Sequence, residues 1–176
     1  MTQQERTQRY ENAKILAIRM HGIQEYDKFP YYKHLQDVEN VLLRFGFNQY
    51  DDLIVCAWLH DILEDCPISY NDIKKEFGEY IAEVVFCVTD ELGRNRKEKH
   101  SKTYPKICNN EGSLIVKLAD RIANIENAKR TRNKIFEMYK QEHQEFKDEL
   151  YPTKIFVLNV DSRIIEMFDV LDVLIK

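Results

Sequence analysis

The string His60-Asp61-Ile62-Leu63-Glu64-Asp65 sets one imidazole and three carboxylates side by side, directly after the apolar run Leu53-Ile-Val-Cys-Ala-Trp-Leu59. On a continuous helix His60 and Glu64 stand four apart, Asp61 and Asp65 likewise, and Asp61 and Glu64 three apart, so all four project over one end of the same element. Carboxylates so placed repel one another. A divalent cation is the simplest group that holds them together, since imidazole and carboxylate both ligate it. The alternative is a solvated helix end that binds nothing. His34 lies on the preceding helix. Asp120 interrupts the helical apolar positions Leu114, Ile115, Leu118, Ile122 and Ile125, where an unpaired acid is costly.

Other residues carry chemistry that can be read two ways. Arg94, Arg96, Lys97, Lys99, Lys102 and Lys106 cluster around His100, with Glu98 as the acid among them. The run is either a solvated face or a basic flap that attracts a polyanion, with Arg96 and Lys99 as its candidate contacts. Arg121 either neutralises phosphate or pairs with an acid at the helix surface. Asn124, one turn after Asp120, is a site amide or a surface amide, and Tyr139 is a core ring or a ligand contact.

Helices must position these groups. Tyr10, Ala13, Ala17 and Met20 form an amphipathic stripe from Gln4 to about Met20, ending near Gly22. A loop bounded by Gly22 and Pro30 delivers Tyr31 and His34 into a second helix that runs to about Phe45. The apolar helix begun at Asp51 and Asp52 is expected at the centre of the fold. Ser69-Tyr-Asn-Asp72 has capping-box spacing for a short helix up to Gly78, followed by a helix from Glu79 to Thr89. Glu91 to Asn110 reads as polar and irregular. Further helices are expected over about Leu114 to Lys129, about Asn133 to Tyr151, and after Pro152, where Leu158, Ile165, Phe168, Leu171 and Ile175 recur at mostly helical intervals. Alternating strand patterns are absent. The expectation is an all-α, compact bundle of about eight helices forming a single domain over residues 1–176.

Composition narrows the function classes. With 44% hydrophobic and 32% charged residues the chain can bury a core without staples. Cys56, Cys66, Cys87 and Cys108 are too widely spaced for a Cys-x-x-Cys site and read as core or semi-buried thiols. The longest apolar stretches fall short of the roughly 18 residues that cross a bilayer, and Met1 to Tyr10 lacks the apolar core of a secretory signal, so no membrane and a cytoplasmic location are expected. A net charge of −4 argues against tracking a nucleic-acid polymer. A homo-oligomer stays open, because the apolar last helix from Lys154 to Ile175 covers either the core or a partner.

His34, then His60-Asp61, then Asp120 resemble the H…HD…D signature of HD-superfamily metal-dependent phosphohydrolases. His60-Asp-Ile-Leu-Glu-Asp65 is similar to the HD-x-x-ED motif of the RelA/SpoT hydrolase domain and small alarmone hydrolases, which remove the 3′-pyrophosphate of ppGpp using manganese. Phe77-Gly78, Val88-Thr89-Asp90, Lys117-Leu-Ala-Asp-Arg121 with Asn124, and more loosely His21-Gly-Ile-Gln24, extend the resemblance over residues 21–124; helices over about 133–175 follow that core. The resemblance implies an HD-domain fold in which His34, His60, Asp61 and Asp120 hold one divalent ion, Mn²⁺ first, with Fe²⁺ and Zn²⁺ also compatible with the donors. It implies that Glu64 and Asp65 position water or shuttle its proton, that Asn124 contacts a nucleotide sugar, and that Tyr139 corresponds to a nucleotide contact. Where the family has an Arg-Lys pair before Pro-Tyr, Glu25-Tyr26-Asp27-Lys28-Phe29 offers Lys28. The implied activity is hydrolysis of a nucleotide pyrophosphate ester of the (p)ppGpp kind. The alternatives are another nucleotide or phosphate ester, or a non-catalytic nucleotide-binding module.

Overall fold

The structure is a computed structural model that describes residues 1–151 and 160–176. Helix α1 (Gln3–His21) starts at a capping box: the Thr2 hydroxyl accepts from Glu5 N while Glu5 accepts from Thr2 N, which satisfies two orphan donors. Its buried face is Tyr10, Ala13, Leu16 and Ala17. Helix α2 (Tyr32–Arg44) follows a short connection, and α3 (Asp52–Leu59) buries every residue from Ile54 to Leu59. Trp58 Nε1 donates to Glu39 Oε2 at 3.0 Å and Tyr10 OH donates to Glu39 Oε1 at 2.7 Å, so one buried carboxylate joins α1, α2 and α3.

The chain does not continue as one helix through the chemical string. Helix α3 stops at Leu59, and α4 (Ile62–Asp65) is a separate single turn. His60 Nδ1 stands 2.8 Å from Ala57 O, so the ring caps a carbonyl that the ended helix leaves without a partner. The break turns His60 inward and leaves Asp61, Glu64 and Asp65 on the next turn.

Helix α5 (Tyr70–Phe77) opens with the expected capping box, Ser69 with Asp72, and α6 (Glu79–Val88) follows Gly78, whose φ of +95° suits a residue without a side chain. The segment expected to be irregular contains α7 (Arg96–Cys108). Asn95 caps it by accepting from Glu98 N, and its buried stripe is His100, Thr103, Tyr104 and Ile107. Polar residues at inward positions, together with Pro105, hid that stripe from hydrophobic periodicity.

Helix α8 (Glu111–Thr131) is the axis of the molecule, packed by α2, α3, α6, α7, α9 (Ile135–Leu150) and α10 (Ser162–Leu174). Gly112 permits the close approach of α8 to α6: a Cβ there would stand 3.1 Å from Val84 and nearer still to the Tyr80 hydroxyl. Of the positions expected on the last helix, Lys154 and Leu158 lie outside the described residues, while Phe168 and Leu171 are buried. Cys56 is buried, and Cys66, Cys87 and Cys108 are half-buried.

Among the described residues there are ten helices and one small sheet. That sheet is a hairpin of two-residue strands, β1 (Glu25–Tyr26) antiparallel to β2 (Phe29–Pro30), which pairs Tyr26 with Phe29. It falls in the segment expected to be a loop and is too short to leave a period-two signal. No helix among the described residues is long and apolar enough to cross a membrane.

Candidate metal centre

Three elements bring two imidazoles and two carboxylates together: His34, His60 and Asp61 place donor atoms within 4.8 Å of one another, and Asp120 faces both imidazoles. His34 comes from the first turn of α2, His60 and Asp61 from the break between α3 and α4, and Asp120 from the middle of α8. His60 Nε2 lies 2.9 Å from Asp61 Oδ2 and 3.7 Å from Asp120 Oδ1. His34 Nε2 lies 3.5 Å from Asp61 Oδ2, 3.3 Å from Asp120 Oδ1 and 3.3 Å from His60 Nε2. Donors about 2.1 Å from a shared ion stand about 3.0 Å apart at right angles and about 3.4 Å apart at tetrahedral angles. Two of the five observed spacings fall in that range and the other three lie within about 0.3 Å of it, close to what a shared divalent ion needs.

The tautomer points the same way. Ala57 O only accepts, so His60 Nδ1 carries the proton and the neutral ring turns its Nε2 lone pair toward His34 Nε2 and the two carboxylates. Those acceptors face one another and need either protons or a cation between them. Burial pushes both imidazoles down, but Asp120 and Asp61 more than offset it and leave His34 and His60 above the ordinary histidine value. Burial likewise pushes Asp61 and Asp120 up, but the imidazoles, and Lys117 beside Asp120, hold both carboxyls well below the carboxylate range.

Outer contacts hold the donors in place. Tyr31 OH donates to Asp61 Oδ2 at 2.6 Å, with its ring stacked on His21 at 4.3 Å. His21 Nδ1 meets Gln24 Oε1 at 2.9 Å, and Gln24 Nε2 donates to Asp65 Oδ2 at 2.8 Å. Burial and the neighbouring Asp61 raise the Tyr31 phenol far above its ordinary value, so it stays a donor. Tyr31→Phe is expected to weaken divalent-metal affinity by about 10-fold, the lower end of what losing an outer hydrogen bond to a ligand does, without removing the ion. Calorimetric titration checks this, and an unchanged affinity contradicts it.

His34, Asp61 and Asp120 line a cavity of about 230 Å³, with His60 buried behind them. Glu64 borders it at the exposed rim, accepting from Asp90 N at 3.3 Å, with Lys99 Nζ 3.9 Å from its other oxygen. Burial and then Asp90 raise the Glu64 carboxyl above its usual value. Asp65 borders the cavity too, with one oxygen taken by Gln24. Asn124 joins from α8, its Nδ2 donating to Asp120 Oδ1.

The far wall is cationic and aromatic. Arg121 is buried, donates to Tyr139 O at 3.0 Å, stands 3.4 Å from Glu142 and lies over the Tyr139 and Phe146 rings at 4.6 and 4.8 Å. Arg96 Nε meets the other oxygen of Glu142 at 2.8 Å, so one acid holds both arginines. Tyr139 is buried and borders the cavity as well. Lys99 reaches Glu64 but does not line the cavity, and Lys28 is exposed at the hairpin turn, outside the lining.

Several lining residues carried no role in the sequence reading: Tyr26, Tyr31, Asp90, His100, Tyr104 and Lys117. Lys117 Nζ lies 3.6 Å from Asp120 Oδ2, a counter-charge that i,i+3 spacing on α8 makes available. His100 is pushed down to about 4 by burial and then Arg96, and Tyr104 OH lies 3.0 Å from its Nδ1, so it is a neutral group in the wall at physiological pH.

Residues 13–146 match the family model described as HD domain, and the chain belongs to that family. Family membership implies a divalent metal, and His34, His60 and Asp61 bring donor atoms within 4.8 Å of one another. Among curated relatives, a guanosine-3′,5′-bis(diphosphate) 3′-pyrophosphohydrolase of Aquifex aeolicus is 33% identical over 101 residues, covering 54% of this chain and 14% of that protein. The Danio rerio protein named guanosine-3′,5′-bis(diphosphate) 3′-pyrophosphohydrolase MESH1 is 30% identical over 103 residues, covering 57% of each. The chain thus spans little more than half of one and a small part of the other. A solved structure described as a metazoan ortholog of SpoT that hydrolyses ppGpp superposes with a TM-score of 0.66 at 20% identity, over 92% of this chain and 94% of that one, and shows the same helical fold.

Proposed function

We propose that this chain is a manganese-dependent pyrophosphohydrolase of ppGpp or a closely related nucleotide. The observation that carries the reading is the convergence of two imidazole nitrogens and two carboxylate oxygens, 2.9 to 3.7 Å from imidazole to carboxylate, beside a cavity with a cationic wall. The names of the relatives, ppGpp 3′-pyrophosphohydrolases, support the choice of substrate.

In this reading His34, His60, Asp61 and Asp120 hold the ion. When bound, it supplies Lewis acidity toward a phosphoryl oxygen and acidifies water. Mixed nitrogen and oxygen donors suit Mn²⁺. Glu64, beside the donors and not needed among them, accepts the proton of the attacking water, while Asp65, fixed by Gln24, orders it. Arg96 and Lys117 offset phosphate charge, and Arg121 backs the wall on which Tyr139 packs. Asn124 offers its amide to the sugar.

A second reading, hydrolysis of another nucleotide or phosphate ester, draws support from the hairpin, whose Lys28 lies outside the cavity and whose remaining charges are the acids Glu25 and Asp27. Incubation with Mn²⁺ and a panel of ppGpp, nucleoside monophosphates and dinucleotides, with products resolved by anion exchange, separates the two. GDP with intact pyrophosphate from ppGpp is expected. Turnover of other members with ppGpp untouched moves the assignment to the second reading, and no turnover with any divalent metal removes both.

Metal should also be visible in stability. Manganese at about 100 times its Kd is expected to stabilise the fold by about 2.7 kcal/mol, or about 5 to 10 °C in Tm for a chain of this size, and a chelator should reverse it. An unchanged melting temperature on adding the metal counts against the site.

A further inference from the structure

Tyr26 differs from the rest of its hairpin. From Glu25 to Pro30 it is the residue that is not exposed. The hairpin turns through Asp27, a left-handed residue at φ +57°, and strands of two residues do not hold themselves together. What seats them is contact with the protein: Arg130 covers Phe29 at 5.5 Å, and Tyr26 leaves the ribbon to lie against the metal centre.

The Tyr26 ring stacks on the His34 imidazole, centroids 4.5 Å apart and planes at 24°, and meets Tyr31 edge-on at 6.1 Å. Its hydroxyl donates to Asn124 Oδ1. The Asn124 amide is therefore held at both ends, because Nδ2 donates to Asp120 Oδ1. A carboxylate accepts and does not donate, so Asp120 fixes which end of the amide is the NH₂. The phenol then fixes where the oxygen points. An amide oxygen has two lone pairs, and Tyr26 uses one, which leaves the other for a donor in the cavity that Tyr26 and Asn124 both line.

We propose that Tyr26 is a positioning residue for substrate choice: through Asn124 it holds an oriented acceptor beside the metal centre for a ribose hydroxyl next to the scissile phosphate ester. This rests on the nucleotide reading above. It assigns a task to the segment in which the chain departs from the alarmone hydrolases. There this chain places an aromatic hydroxyl that acts on the sugar side of the ligand.

The test compares ppGpp with its 2′-deoxy analogue, with manganese present. Kinetics are taken on the wild type, Tyr26→Phe, Asn124→Ala and the double variant, and Kd values by calorimetry on the same changes in a Glu64→Ala background, where binding is read without turnover. Tyr26→Phe keeps the ring on His34 and removes only the donor. It should raise KM and Kd for ppGpp by about 5- to 10-fold, the worth of one oriented hydrogen bond, with the loss in KM rather than kcat. The 2′-deoxy analogue should bind wild type and Tyr26→Phe alike, and Tyr26→Phe should add little once Asn124 is Ala. Equal losses for both ligands, full additivity with Asn124→Ala, or no change for ppGpp would overturn the assignment. A wild type that neither binds nor hydrolyses either nucleotide overturns the nucleotide reading, and the role of Tyr26 with it.

Discussion

Glu64→Ala should bind manganese with the stoichiometry of the wild type and lose turnover by about 10²- to 10⁴-fold, the range for removing a positioned general acid or base. Glu64 stands one turn beyond Asp61, on the cavity rim and outside the His34, His60 and Asp61 donor group, so its loss should leave the proposed ligands in place. The Asp90 amide at 3.3 Å and the nearby Lys99 hold the carboxylate at the rim. Glu64→Gln, which keeps the shape and the contact with Asp90 but cannot take a proton, should be about as impaired as Glu64→Ala. Full activity in either variant refutes the division between ligands and proton acceptor.

His60→Ala should act differently and more severely, removing metal and activity together. The ring supplies a donor nitrogen within 3.7 Å of both carboxylates, and its other nitrogen caps α3 through Ala57 O. Removing a ligand should cost more than the about 10- to 100-fold typical of an outer-contact change, so metal affinity should fall by more than about 100-fold. Asp120→Ala should behave alike, since Asp120 faces both imidazoles and also anchors Lys117 and Asn124. The series Tyr31→Phe, then Asp120→Ala or His60→Ala, thus predicts a graded loss of metal, whereas Glu64→Ala predicts none. Metal analysis of the purified variants reads all four.

Asp120 was legible in the sequence because an acid amid apolar helical positions has few physical explanations, and His60-Asp61 because polar groups ending an apolar helix demand one. The geometry between them was not. A string read as one helix is two elements, and the break at His60 and Asp61 is what lets the imidazole cap α3 and still aim Nε2 at the centre. No local propensity announces it, because Leu59, His60 and Asp61 are all compatible with a continuing helix.

Helix α7 was missed for a different reason. Its inward residues include His100 and Thr103, which count as polar in a periodicity count yet are buried. Tyr26 and Tyr31 were hidden by being tyrosines, whose hydroxyl chemistry shows only once Asn124 and Asp61 are placed beside them. Charge in sequence does not show where each cation stands: Lys28 is exposed on the hairpin, outside the cavity lining, while Arg96 reaches the wall and shares Glu142 with Arg121.

The central claim is that these four side chains hold one divalent ion, and titration of Mn²⁺ into metal-free protein tests it most directly, at about pH 6 and about pH 8, either side of the ordinary imidazole range. His34 and His60 are raised in the metal-free protein, so protons occupy the site at the lower pH and must leave before the ion enters. The expected result is one ion per chain, bound more tightly at the higher pH, with protons released on binding and no saturable binding by His60→Ala. Absence of saturable binding by the wild type, or binding that His60→Ala leaves intact, would contradict the account.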